Sequence, residues 1–124
     1  MGHSYKDLIA WQKARLLAVD IYRLTEHFPA KEIYGLTSQL RRAAVSVASN
    51  VAEGQGRLTK GEFLQFLGHA RGSLLEVETQ CVIACDLKYI TTEDLNSIEK
   101  KIGDVLGLVN RLIDSLRLKA AAAS

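Results

Sequence analysis

The chain predicts an all-α, up-down-up-down antiparallel four-helix bundle, on three observations. Apolar residues recur at alternating spacings of three and four over long stretches, which is helical and not strand periodicity. Only one proline occurs in 124 residues, so little interrupts those stretches. The periodic segments number four and are joined by short connectors, the pattern of sequential antiparallel helices. At 48% hydrophobic residues the chain can fill a core of its own, and no linker or internal repeat divides it, so residues 1–124 read as one domain.

The first segment runs from about Tyr5 to His27. Its seam is Ala10, Ala14, Leu17, Ile21, Leu24 and Phe28, with Trp11 beside it as a plug for one end of the bundle. Phe28-Pro29 ends it, because a residue before proline is pushed out of helical geometry. The second segment starts near Lys31 or Tyr34 and runs to Glu53, with Leu40, Ala44, Val47 and Val51 on one face. Gly54 is expected to stop it in the left-handed conformation that glycine tolerates.

Thr59 is the expected N-cap of the third segment, with Glu62 as its capping-box partner. Phe63, Leu67, Ala70, Leu74, Val77, Cys81 and Ala84 form the seam, and the helix is expected to reach about Tyr89. Gly68 and Gly72 suggest close helix contact, or glycines tolerated at the surface. Thr91 or Thr92 caps the fourth segment, which extends to about Lys119. Leu95, Ile98, Ile102, Val105, Val109, Leu112 and Leu116 keep a strict heptad, widened by Leu106 and Ile113. The alanine-rich end reads as frayed helix or tail.

The chemistry-bearing residues argue against an enzyme. His3, His27 and His69 are isolated, and no serine or cysteine sits in a recognisable nucleophile motif. Neither Glu62 nor Glu76 is followed three residues later by histidine, so the carboxylate–histidine units of metal-binding bundles are missing. Gly54 to Arg57 lacks the lysine of a phosphate-binding loop. Cys81 and Cys85, four apart, read as buried free thiols and not as a disulfide or zinc pair. No cofactor and no metal is expected. The longest apolar runs fall short of a membrane span and no leader-like segment is visible, so a cytoplasmic protein is expected.

Binding is the remaining prospect. The stretch from Gln39 to Gly54 is a helix thin with alanine, and it carries a polar line: Gln39, Arg42, Ser46, Ser49 or Asn50, and Glu53. A matching line on the third segment includes Ser73 and Glu76. These read as an interhelix polar network or subunit interface formed by Gln39, Arg42, Ser46, Asn50, Glu53, Ser73 and Glu76, with Glu76 reaching Arg42 or Asn50. Helices one and four, with seams and otherwise polar faces, read as plain bundle walls. The net charge of +2 is too small to announce nucleic-acid binding by itself. Arg41, Arg57, Lys60 and Arg71 nevertheless gather around helix two, its exit and early helix three, and several copies together would attract phosphates.

Several motifs match a known family together: Leu8 to Ala14 around Trp11, the Phe28-Pro29 turn, Gln39 with Arg41-Arg42-Ala43, Asn50 to Gly54, and Gly72-Ser73 with Glu76. In these, across essentially the whole chain, the sequence resembles the four-helix-bundle proteins of the 23S rRNA intervening sequence. The resemblance implies a bacterial homo-oligomer with a five-fold ring as the expected form. It also implies kinship with the accessory protein of diversity-generating retroelements, a basic pentameric barrel that binds nucleic acid and a reverse transcriptase. It supplies no catalytic residue. The expected function is a non-catalytic oligomer binding structured RNA or DNA through Arg41, Arg57, Lys60 and Arg71. The alternative is a scaffold for a protein partner that binds no nucleic acid.

Overall fold

The computed structural model describes residues 4–123. A 3-10 turn at Tyr5–Asp7 leads into α1 (Ile9–Thr25), and a second at Ala30–Glu32 leads into α2 (Leu36–Gln55); α3 (Lys60–Asp86) and α4 (Thr92–Ala123) follow. Each helix packs on its neighbours in sequence and α4 closes back on α1, leaving α1 diagonal to α3 and α2 diagonal to α4. This is the antiparallel four-helix bundle that the periodicity predicts.

The core follows the seams. Leu17 and Ile21 of α1, Leu40 and Val47 of α2, Leu67 and Leu74 of α3, and Ile102 and Val109 of α4 are all buried. Each such side chain stabilises the fold by about 1.5–3 kcal/mol through removal from water. An ion pair between Lys101 and Asp20 (3.1 Å) bridges α4 and α1.

Both N-caps form, but only one has the reciprocal bond. Thr59 Oγ1 accepts from the Glu62 N–H (3.1 Å), and the Glu62 carboxylate accepts from the Thr59 hydroxyl (3.2 Å) in place of the Thr59 N–H that a full capping box uses. Thr91 Oγ1 accepts from the Asp94 N–H (3.0 Å) while the Asp94 carboxylate accepts from the Thr91 N–H (3.3 Å). Several helix ends differ from expectation: α1 begins at Ile9, behind the separate turn at Tyr5–Asp7, and α2 begins at Leu36, past both Lys31 and Tyr34. Gly54 does not stop α2: it is a buried helical residue, and α2 continues to Gln55. A Cβ at Gly54 would lie 2.9 Å from both Phe63 and Phe66, so the glycine serves close approach of α3 instead of a left-handed turn.

Among the described residues the left-handed one is Lys88 (φ 68°), and α3 ends at Asp86, short of Tyr89. The Lys88 N–H bonds the Cys85 carbonyl (3.0 Å) and the Tyr89 N–H bonds the Ala84 carbonyl (2.9 Å), a Schellman ending built without glycine. At the other end of the bundle's last helix, α4 continues through the alanines to Ala123.

Candidate functional site

The α2–α3 face carries the polar line. Ser46 on α2 and Ser73 on α3 meet across the helices at 3.0 Å. The Asn50 amide reaches back to both the Ser46 hydroxyl and the Ser46 carbonyl, each at 2.8 Å. Towards the other end, the Gln80 amide approaches Gln39 at 3.5 Å, and its Oε1 is buried with no partner among the described residues. Small side chains on both helices leave an open groove of about 480 Å³ between these contacts, bordered by Tyr34, Gln39, Arg42, Ser46, Glu76 and Gln80.

Of the seven residues expected in this network, Gln39, Ser46, Asn50 and Ser73 make its hydrogen bonds. Arg42 and Glu76 border the same groove, but among the described residues Glu76 pairs with neither Arg42 nor Asn50, whose amide is taken up by Ser46. Glu53 lies apart, 3.7 Å from Arg57 in an exposed pair one helical turn away.

The four cations named as phosphate contacts are spread along the bundle. Arg57 lies in the connector between α2 and α3 and Lys60 opens α3; Arg57 rests over the Phe66 ring at 4.5 Å with its side chain still 44% exposed. Arg71 is exposed on α3, eleven residues beyond Lys60, which is about three turns and so the same side of the helix. Arg41 is elsewhere, fourteen residues before the end of α2 at Gln55 and so roughly 21 Å up the helix at 1.5 Å per residue. Its Nε donates to Thr25 Oγ1 (2.8 Å), an Nη donates to the Tyr22 carbonyl (3.3 Å), and the guanidinium lies 4.7 Å above the Tyr22 ring. This arginine ties α2 to α1.

A feature not anticipated from the sequence is an apolar groove of about 720 Å³ between α1 and α2. Trp11, Val19 and Tyr22 form its α1 side, and Val45, Ala48 and Ala52 its α2 side. Helix α1 is therefore not a plain wall with a polar exterior. Val19 and Tyr22 lie beside the buried line of Ala14, Leu17, Ile21 and Thr25, a second apolar line legible only once the first is known to face inward.

Cys81 is buried and Cys85 half-buried, both free. Desolvation, with the nearby Glu99 and Glu78 charges, pushes the Cys81 thiol up to about 12. Among the described residues no helix is long and apolar enough to cross a membrane.

The architecture is thus a helical bundle whose polar side-chain groups gather on a groove and a connector. The family model for the 23S rRNA-intervening sequence protein matches residues 6–111, and the chain belongs to that family. In fold it is similar to a solved protein of unknown function from the S23 ribosomal protein family of Bacteroides thetaiotaomicron. That likeness has a TM-score of 0.76 at 21% identity and covers 85% of this chain and 98% of the other. Comparison with curated proteins finds no match.

Proposed function

We propose that this is a non-catalytic, cytoplasmic bacterial protein that assembles as a homo-oligomer, five subunits being the number the resemblance implies, and binds structured RNA or DNA through phosphate contacts. The observation that supports this reading most is the seat of Arg57 on the Phe66 ring at the α2–α3 connector, three residues before exposed Lys60. Arg57 is steadied by the Phe66 face, which reduces the freedom lost when a phosphate is engaged. Arg71 extends the same basic track along α3. Arg41, committed to Thr25 and Tyr22, contributes to the bundle and not to that track. One subunit offers too few cations for tight binding, and repetition in an oligomer multiplies them without new contacts.

The test is binding of a labelled RNA hairpin across a salt series. Affinity falling log-linearly with salt, with a shallower slope in the Arg57→Ala/Lys60→Ala double variant, supports phosphate recognition. Absence of binding at low salt by an intact oligomer would favour a scaffold for a protein partner.

A further inference from the structure

We infer that copies of this chain associate head to tail, the α1–α2 groove of one copy receiving the outward ridge of α3 of the next. The inference rests on the oligomeric reading above and adds which faces meet.

Two apolar faces are left uncovered by the bundle. The groove exposes Val19, Tyr22 and Val45 by 41–43%, and its floor is kept low by Ala18, Ala48 and Ala52. On α3 the side turned from the core carries Gly68, Gly72, Leu75, Thr79, Val82 and Ile83, a line that meets no charge until Asp86 at its end. Leu75 and Ile83 are 46% and 44% exposed. A Cβ at Gly68 or Gly72 would touch nothing, so neither glycine serves packing within the subunit, yet each costs a helix about 1 kcal/mol against alanine. A helix apolar on two opposite sides needs cover on both.

Shape and charge fit the two faces to each other. One is a trough between helices, and the other is a helix flank narrowed by glycine at one end and filled by Leu75, Val82 and Ile83 at the other. Arg15 and Arg23 border the groove against the single carboxylate of Glu26. Glu76, Glu78 and Asp86 border the α3 ridge against the single cation of Arg71. The margins therefore carry opposite excess charge, which favours this pairing over groove against groove.

Because α3 lies diagonally across the bundle from α1, no copy can place its own ridge in its own groove. A contact between two different faces leaves one of each free, so it continues into a ring or a chain.

The mass of the wild-type protein in solution and two substitutions at exposed positions test this. Val45→Arg blocks the groove and Leu75→Arg blocks the ridge; Val19→Glu and Val82→Glu are a second such pair should either of the first unfold by circular dichroism. With the wild type assembled, each variant alone is expected to sediment as a monomer. Mixed in equal parts they are expected to form a one-to-one dimer and stop, since the mixture contains one sound groove and one sound ridge. A mixture that stays monomeric overturns the pairing. So does normal assembly of Leu75→Arg beside a monomeric Val45→Arg, which is the signature of groove against groove. Normal assembly of Val45→Arg would leave the groove for another protein and also overturns it. A monomeric wild type would instead defeat the oligomeric reading itself.

Discussion

The Tyr89 hydroxyl donates a 2.8 Å hydrogen bond to the Glu32 carboxylate, joining the α3–α4 connector to the turn that precedes α2. The second oxygen of Glu32 accepts from the Leu36 N–H (3.1 Å), so the same carboxylate caps α2, whose own N-cap residue Gly35 has no side chain to do it. Gly35 makes room for this: a Cβ there would sit 2.7 Å from Glu32 Oε1. Above the pair, the Phe28 and Tyr89 rings meet at 5.4 Å. One end of the bundle is thereby closed by four residues from two connectors.

Tyr89→Phe should lower the melting temperature while keeping the ring contact. The Leu36 N–H and the Tyr89 hydroxyl hold the Glu32 carboxyl below its ordinary 4.5, and the Glu32 partnership holds the Tyr89 phenol above its ordinary 10.0. A depressed carboxyl contributes stability above its unfolded value that is lost as pH falls through the folded one; a raised phenol contributes below its unfolded value and loses it as pH rises. The difference in melting temperature between wild type and variant should therefore be flat near neutrality and narrow at both the acid and the alkaline extreme.

Gly54→Ala sets helix propensity against sterics. Alanine gains about 1 kcal/mol of propensity, but the added methyl meets Phe63 and Phe66 at 2.9 Å and the Phe63 carbonyl at 3.3 Å. Overpacking costs about 1–3 kcal/mol, so net destabilisation is expected in urea unfolding. Gly103→Ala on α4, where nothing lies within 4 Å, should stabilise by up to about 1 kcal/mol.

Lys88→Gly should raise stability. The left-handed conformation costs a side-chain-bearing residue roughly 1–2 kcal/mol, and glycine removes most of that at some cost in unfolded-chain entropy. A net gain near 1 kcal/mol by urea unfolding is the expected result; no gain would mean that the Lys88 side chain compensates.

Arg41→Ala should weaken the fold by about 1 kcal/mol, the usual worth of a hydrogen bond, through loss of the contacts to Thr25 and Tyr22. If the hairpin is bound as proposed, its salt slope should not change, in contrast to the Arg57/Lys60 variant. Thr25→Val would separate the two contributions in a double-mutant cycle, since Thr25 Oγ1 also donates to the Ile21 carbonyl at 2.8 Å.

Thiol labelling at pH 8 should modify Cys85 first. Cys81 is buried, and with its thiol pushed up to about 12 it is almost wholly protonated at that pH. Its modification should await denaturant, and rapid labelling of both in the native state would contradict the burial.

Four helices, their seams and two of their N-caps are legible in the order of residues alone. Periodicity and capping are local, because residues three or four apart share a face whatever the rest of the chain does. The polar line of α2 was legible for the same reason, and Ser46 and Asn50 lie where it puts them. Tertiary structure decided what each line faces. Gly54 has a stop signal's chemistry but is held in the helix by the approach of Phe63 and Phe66, while Lys88 takes the left-handed turn that no glycine announced. Arg41 inside α2 and Arg57 just past its end carry the same charge, yet one is bound to Thr25 and the other stands in the connector. Such differences depend on which neighbour arrives at a given face, a property of packing between distant segments that no local spacing contains.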